Sequence, residues 1–248
     1  MKTTFLWIFI FMMQSIIAQD TIRVSYVEPL NKQSQIFSLS PISKKVDNVN
    51  GLVFGLGHII NKNISKQTIN GLNIEANPAP ALGALVGFFA IMHLDDVIKN
   101  SKVPDSIKGT EAHFRLDFFD GSPNLKLRGV NLSTGCFFTP TSMSGLNISL
   151  ANIFKDFKGF SITPVWTIVN NQVGFSIGMI NANNVLKGST VGVYNQSYEL
   201  KGVLVGVFNQ TGNNHGLQVG VFNRSNSEGP QIGLWNINNK RSLPFINW

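Results

Sequence analysis

The stretch Gly202-Val-Leu-Val-Gly-Val-Phe-Asn209 returns as Gly216-Leu-Gln-Val-Gly-Val-Phe-Asn223 and again as Gly229-Pro-Gln-Ile-Gly-Leu-Trp-Asn236. The initiating glycine recurs upstream at Gly129, Gly145, Gly159, Gly174 and Gly188. The successive steps from Gly129 to Gly229 are 16, 14, 15, 14, 14, 14 and 13 residues. A fixed period of this kind is the mark of stacked supersecondary units, each burying its face against the next. Looser copies begin at Asn50-Gly-Leu-Val-Phe-Gly-Leu-Gly57 and Asn70-Gly-Leu-Asn-Ile74.

Counting from the glycine as position 0, positions 1, 3 and 5 are apolar, as in Val203, Val205 and Val207. Position 4 is mostly Gly, and position 2 is often polar, as in Thr190, Gln218 and Gln231. Position 6 is often aromatic: Tyr194, Phe208, Phe222 and Trp235. This alternation describes a strand with a β-branched face and an amide, glycine and aromatic face. The aliphatic face is expected to point inward, leaving positions 2 and 6 as an exposed stripe able to stack on sugar rings or meet another protein. Position 7 is Asn in Asn152, Asn181, Asn195, Asn209, Asn223 and Asn236, a corner residue whose amides can form a ladder from coil to coil. Position 12 is apolar again in Phe157, Leu186 and Leu200, a second inward point on each turn.

Two apolar points per unit and near-constant connections predict an all-β repeat array, a β-solenoid-like stack of about 14-residue units. The alternative is an antiparallel meander or outer-membrane β-barrel, with each repeat as one strand. Barrels normally alternate short turns with longer loops, and Pro244 in the closing Leu243-Pro-Phe-Ile-Asn-Trp248 disfavours a terminal closing strand.

At these repeats the chain resembles a family of bacterial surface-repeat proteins, first recognised in spirochaetes and widespread in Bacteroidetes-type envelopes. Its repeat reads approximately G-[LV]-Q-[IV]-G-[LV]-[FW]-N, matched by Gly216 to Asn223 and Gly229 to Asn236. The ending from Gly233 to Trp248 is also similar to that of the Bacteroidetes members. The resemblance covers residues 129–248 well and 50–77 loosely. It implies an exported, envelope-associated protein and carries no catalytic residues with it.

The remainder fits that expectation. Residues 1–18 combine Lys2, an apolar run from Phe5 to Met13 and a small residue at Ala18, the plan of a secretory signal peptide. Residues 19–49 read as an N-terminal strand and cap or linker. Residues 50–128 are degenerate repeats with an apolar insertion at 78–98, whose core, residues 81–92, is short for a membrane span. Residues 129–241 form the array and 242–248 a tail. The chain is 43 % hydrophobic, 13 % charged and formally +7, with its basic residues scattered. Nucleic-acid binding is therefore not expected, while attraction to an acidic envelope surface is. Membrane association is a further expectation.

No reactive constellation stands out. Cys136, the one cysteine, lies in an apolar setting and reads as a structural thiol, and the four histidines lack metal-ligand spacing. No cofactor or metal is expected. A carbohydrate-active solenoid would need Asp117, Asp120 and Glu111 to converge with His113 in one groove; an acidic solvated face is the plainer reading. The Asn-x-Ser/Thr sequons at Asn63, Asn131, Asn147, Asn195, Asn209 and Asn223 are better explained by turn chemistry than by glycosylation. The expected function is thus that of a noncatalytic, exported scaffold or binding module, acting on an envelope glycan or another surface protein.

Overall fold

The computed structural model describes residues 33–57, 66–77, 123–135 and 140–248. No helix occurs among the described residues. The strands are β1 (Gln33–Ser40), β2 (Val46–Gly55), β3 (Gln67–Glu75), β4 (Leu125–Gly135), β5 (Thr141–Leu200), β6 (Val203–Asn214), β7 (Leu217–Ser225), β8 (Gln231–Ile237) and β9 (Ser242–Asn247). They pair in chain order: β1 to β7 are each parallel to the next strand, and β9 alone runs antiparallel, along β8. β5 winds as unbroken extended chain through the levels of Gly145, Gly159, Gly174 and Gly188. The architecture is a β-solenoid of about ten turns. Successive strands of a meander or an outer-membrane barrel are antiparallel, so the parallel pairing overturns both of those alternatives.

Register is set by the position 0 glycines. Gly51 pairs with Gly71, Gly71 with Gly129, and Gly129 with Gly145, so the degenerate early copies stack in phase with the regular ones. Gly174 shows why only glycine serves here. Its φ of +119° lies in the region that L side chains avoid, and a Cβ would run into the carbonyl oxygen of Gly159 on the coil before. The stretch 33–40, placed by sequence in the cap or linker, is in fact the first described rung.

The faces are arranged opposite to expectation. Position 2 is interior: Thr190, Leu204, Gln218 and Gln231 are all 0 % exposed. Positions 3 and 5 point outward, with Val205, Val207 and Val193 among the exposed apolar residues. Position 12 does face inward, at Phe157, Leu186 and Leu200.

The interior changes character along the stack. Its first coils hold an apolar core that includes Val53, Ile69, Leu127, Met143, Phe154 and Phe157. Later coils fill a narrow interior with polar rows around a small cluster of Leu186, Leu200 and Leu204. A row of identical amides suits a parallel in-register stack, because strands about 4.8 Å apart place each amide within hydrogen-bonding reach of its copy. Buried polarity of this kind is tolerated because its members bond one another.

The residues read as a tail instead close the stack. β9 returns antiparallel along β8, and Pro244 falls where the register shifts and is not one of the paired residues. Asn247 is buried, donating to Gln231 Oε1 at 3.1 Å. The Arg241 guanidinium lies over the Trp248 ring, 4.2 Å from its centroid, and donates to Trp248 O at 2.6 Å.

Candidate binding face

The outer face is built from the inside. Asn181 Nδ2 donates to Asn195 Oδ1 at 2.8 Å, Asn195 to Asn209 at 2.9 Å, Asn209 to Asn223 at 2.8 Å and Asn223 to Asn236 at 2.7 Å. The same nitrogens of Asn195, Asn209 and Asn223 also donate, at 2.9 Å each, to the backbone carbonyls of Val205, Val219 and Ile232 on the following coil. These bonds hold the strand whose other side carries the outward aliphatic residues.

Position 4 explains where this ladder can exist. A Cβ on Gly206 would stand 2.5 Å from Asn195 Nδ2 and 3.1 Å from Asn209 Oδ1, and Gly192 and Gly220 are hemmed in by amides in the same way. Glycine at position 4 leaves the volume that the amides occupy. Upstream, position 4 is Ser149 or Thr163, and the ladder stops: Asn152 bonds Ser149 on its own coil instead. The coil after Gly159 also has one more residue between Thr163 and Asn170 than the next has between Gly178 and Asn184, the pairs that lie level. Thr167 is consequently buried there, and Trp166, by count at position 7, packs partly buried against Ala151.

A second amide row runs at position 2, from Asn73 to Asn131 at 2.8 Å and from Asn131 to Asn147 at 2.7 Å. It reappears between Gln231 and Gln218 at 2.6 Å. The sequon asparagines Asn131, Asn147, Asn195, Asn209 and Asn223 are therefore 0–2 % exposed and engaged. No glycan can be accommodated on them in the folded chain.

Of the predicted stripe, only position 6 is on the surface. Phe208, Phe222 and Trp235 are 45–46 % exposed, and Tyr194 is half-buried. Phe208 and Phe222 stack with centroids 5.3 Å apart and planes 8° from parallel. The Tyr194 hydroxyl donates to Gln210 Oε1 at 3.3 Å. Burial pushes that hydroxyl above its ordinary pKa, and the Arg224 guanidinium acts more weakly in the opposite sense. Beside this row lie the surfaces that sequence reasoning turned inward: position 3 (Ile148, Ile177, Val205, Ile232) and position 5 (Leu150, Val193, Val207, Leu234) are all exposed.

The charged groups stand at the margins. Immediately before the position 0 glycines from Gly129 to Gly229 come Arg128, Ser144, Lys158, Val173, Lys187, Lys201, His215 and Glu228, all exposed and mostly basic. Lys201 pairs with Glu199 at 2.5 Å and Lys240 with Glu228 at 2.6 Å. Hydrogen bonding from Lys201 and from Lys240 holds the Glu199 and Glu228 carboxyls below the usual range.

Among the described residues no group of three or more His, Cys, Asp or Glu side chains could hold a metal ion. The signal-peptide segment, the insertion at 81–92, Cys136, Asn63 and the constellation of Glu111, His113, Asp117 and Asp120 lie outside the described residues. The fold and face together define a class: a parallel β-solenoid with amide ladders inside and an aliphatic and aromatic sheet face outside. No protein-family model, curated protein or solved structure matches the chain.

Proposed function

We propose that the protein is a noncatalytic, exported envelope protein that works as a scaffold or binding module through the outer sheet face of its coils. The observation that carries this reading is the inversion of polarity. Amides are buried in the stack while Val207, Phe208, Phe222, Leu234 and Trp235 stay at the surface. Soluble monomers rarely leave contiguous apolar patches beyond roughly a few hundred Å², and larger ones mark interaction sites. The resemblance to surface-repeat proteins and the signal-peptide pattern of residues 1–18 support the envelope location.

The test is cosedimentation of the full chain with bacterial envelope fragments, comparing wild type with a Phe208→Ser, Phe222→Ser, Trp235→Ser triple variant. Circular dichroism serves as the check on folding. The expected outcome is pelleting by wild type and a loss of about tenfold or more for the variant, as for removal of central aromatic anchors. Equal pelleting of a folded variant overturns the assignment of this face.

A further inference from the structure

The outer face has a composition that narrows its occupant. Position 3 and 5 residues of successive coils line up as the parallel register requires: Val193, Val205 and Val207 continue into Val219, Val221, Ile232 and Leu234. Over the ten glycine levels from Gly51 to Gly229 this strip runs for roughly 45 Å at the usual strand spacing. No charged side chain occupies positions 1, 3 or 5 of any described coil. The backbone beneath is tied into parallel ladders on both sides, so the face presents side chains rather than orphaned N–H and C=O groups. A surface of that kind can meet hydrocarbon without the penalty that excludes open sheet edges from lipid.

The two margins differ in chemistry. One is the aromatic row of Tyr194, Phe208, Phe222 and Trp235, and Tyr and Trp are favoured where acyl chains give way to headgroups. The other, across the position 0 corner, is an exposed row in which Arg128, Lys158, Lys187, Lys201 and His215 stand against one acid, Glu228, which Lys240 already pairs. Long basic side chains can lay their stems along apolar surface and extend their charge toward phosphate.

Charge decides between lipid and a second copy. The described residues hold twelve Lys and Arg against five Asp and Glu. Those acids are already engaged or buried: Glu75 accepts from Ser40, Asp156 from Ser142 and Asn171, Glu199 pairs with Lys201 and Glu228 with Lys240, and Asp47 also has a partner. Two identical faces brought together would offer the basic row no complementary acidic row. A bilayer bearing anionic headgroups offers both hydrocarbon and negative charge.

We propose that the solenoid lies on an anionic lipid bilayer, with its outer sheet face seated at the headgroup and acyl boundary and its basic row on the headgroups. This rests on the reading of the face as the binding surface and names what it binds. Attachment is peripheral: the face lies in the interface and does not cross it.

The experiment is flotation of the full chain with phosphatidylcholine vesicles and with vesicles containing about one third phosphatidylglycerol, a composition rich enough for surface charge to act. The comparison includes Val207→Glu with Leu234→Glu, and separately Lys158→Gln with Lys187→Gln. The N-terminal apolar run is common to every protein compared, so differences report the face. Both altered positions of the first variant are exposed, and circular dichroism verifies its fold. Wild type is expected to float with anionic vesicles and less with neutral ones. The glutamate pair is expected to abolish flotation, and the glutamine pair to weaken binding to anionic vesicles alone, by about fivefold for each cation removed. Failure of wild type to float, or indifference to the glutamate pair, overturns lipid as the occupant. If wild type instead forms a dimer in solution that the glutamate pair dissociates, the face is a binding surface but its occupant is a second copy. If vesicles, self-association and envelope pelleting are all insensitive to the face variants, the underlying reading falls as well.

Discussion

Asn209 donates its side-chain N–H to Asn223 Oδ1 at 2.8 Å, one coil further along, and both residues are at most 2 % exposed. The same nitrogen meets Val219 O at 2.9 Å, so one side chain serves the ladder and the neighbouring backbone together. Removing it leaves Asn195 Nδ2, Asn223 Oδ1 and Val219 O each short of a partner.

Asn209→Ala is therefore expected to destabilise the array by about 2–4 kcal/mol, because buried groups are left unsatisfied rather than an isolated pair lost. Asn209→Asp keeps the shape but removes the donor and buries a carboxylate, which raises its folded pKa above the unfolded value of about 3.9. The raised folded pKa sets the sign. The aspartate variant is weakest relative to wild type above its folded pKa, and the deficit shrinks as pH falls toward about 4. Urea denaturation at pH 8 and pH 5 checks this; a pH-independent deficit for the aspartate variant contradicts the burial of this row.

A steric requirement couples Gly206 to the same ladder. Gly206→Ala places a Cβ 2.5 Å from Asn195 Nδ2 and against the Gly192 carbonyl, so the amides or the strand must move. The expected cost is about 2–3 kcal/mol, in the range of overpacked interiors. Combined with Asn195→Ala, the two losses should sum to less than their separate values, since the amide that the methyl displaces is already gone. Thermal melts of the single and double variants read this directly; strict additivity would separate the glycine from the ladder.

The period, the parallel stack and the Asn row were legible because each depends on a residue type that recurs at a fixed step: Gly129 to Gly229 for the corner, Asn181 to Asn236 for the amides. Which face pointed inward was not. Period-2 alternation distinguishes two faces without orienting them, and the habit of turning valine inward presumes an interior wide enough to need it. Here the late coils are filled by amides stacked on themselves, so Val205 is left outside and Gln218 within. One signal was available: position 2 holds Leu204 between Thr190 and Gln218, and position 4 is Gly wherever the Asn ladder runs. The 15-residue step from Gly159 to Gly174 reveals an extra residue in that coil but not its place, since Thr167 rather than Trp166 is the buried residue.

Leu204 and Val205 test the orientation with adjacent residues. Leu204 is 0 % exposed in the cluster with Leu186 and Leu200, whereas Val205 is 37 % exposed. Leu204→Ala is expected to cost about 2–4 kcal/mol through lost burial and a residual cavity. Val205→Thr should stay within about 0.5 kcal/mol, as a surface change does. Chemical denaturation of the two variants is sufficient, and the reverse ranking would restore the aliphatic face to the interior.

β9 covers the β8 edge, and Asn247 ends the position 2 row by donating to Gln231 Oε1 at 3.1 Å, while Asn238 Nδ2 donates to Asn247 Oδ1 at 3.4 Å. Without β9, the backbone groups of β8 that pair with it would form an open parallel edge, a template for another chain. Deleting residues 242–248 is thus expected to produce concentration-dependent association through the exposed end. Asn247→Ala retains the backbone pairing and is expected to lose about 1–3 kcal/mol without that association, since its effect is confined to buried amide partners. Sedimentation velocity across a concentration series distinguishes the two variants. If the deletion variant sediments as wild type at every concentration, β9 is not what keeps that end of the stack from pairing with another chain.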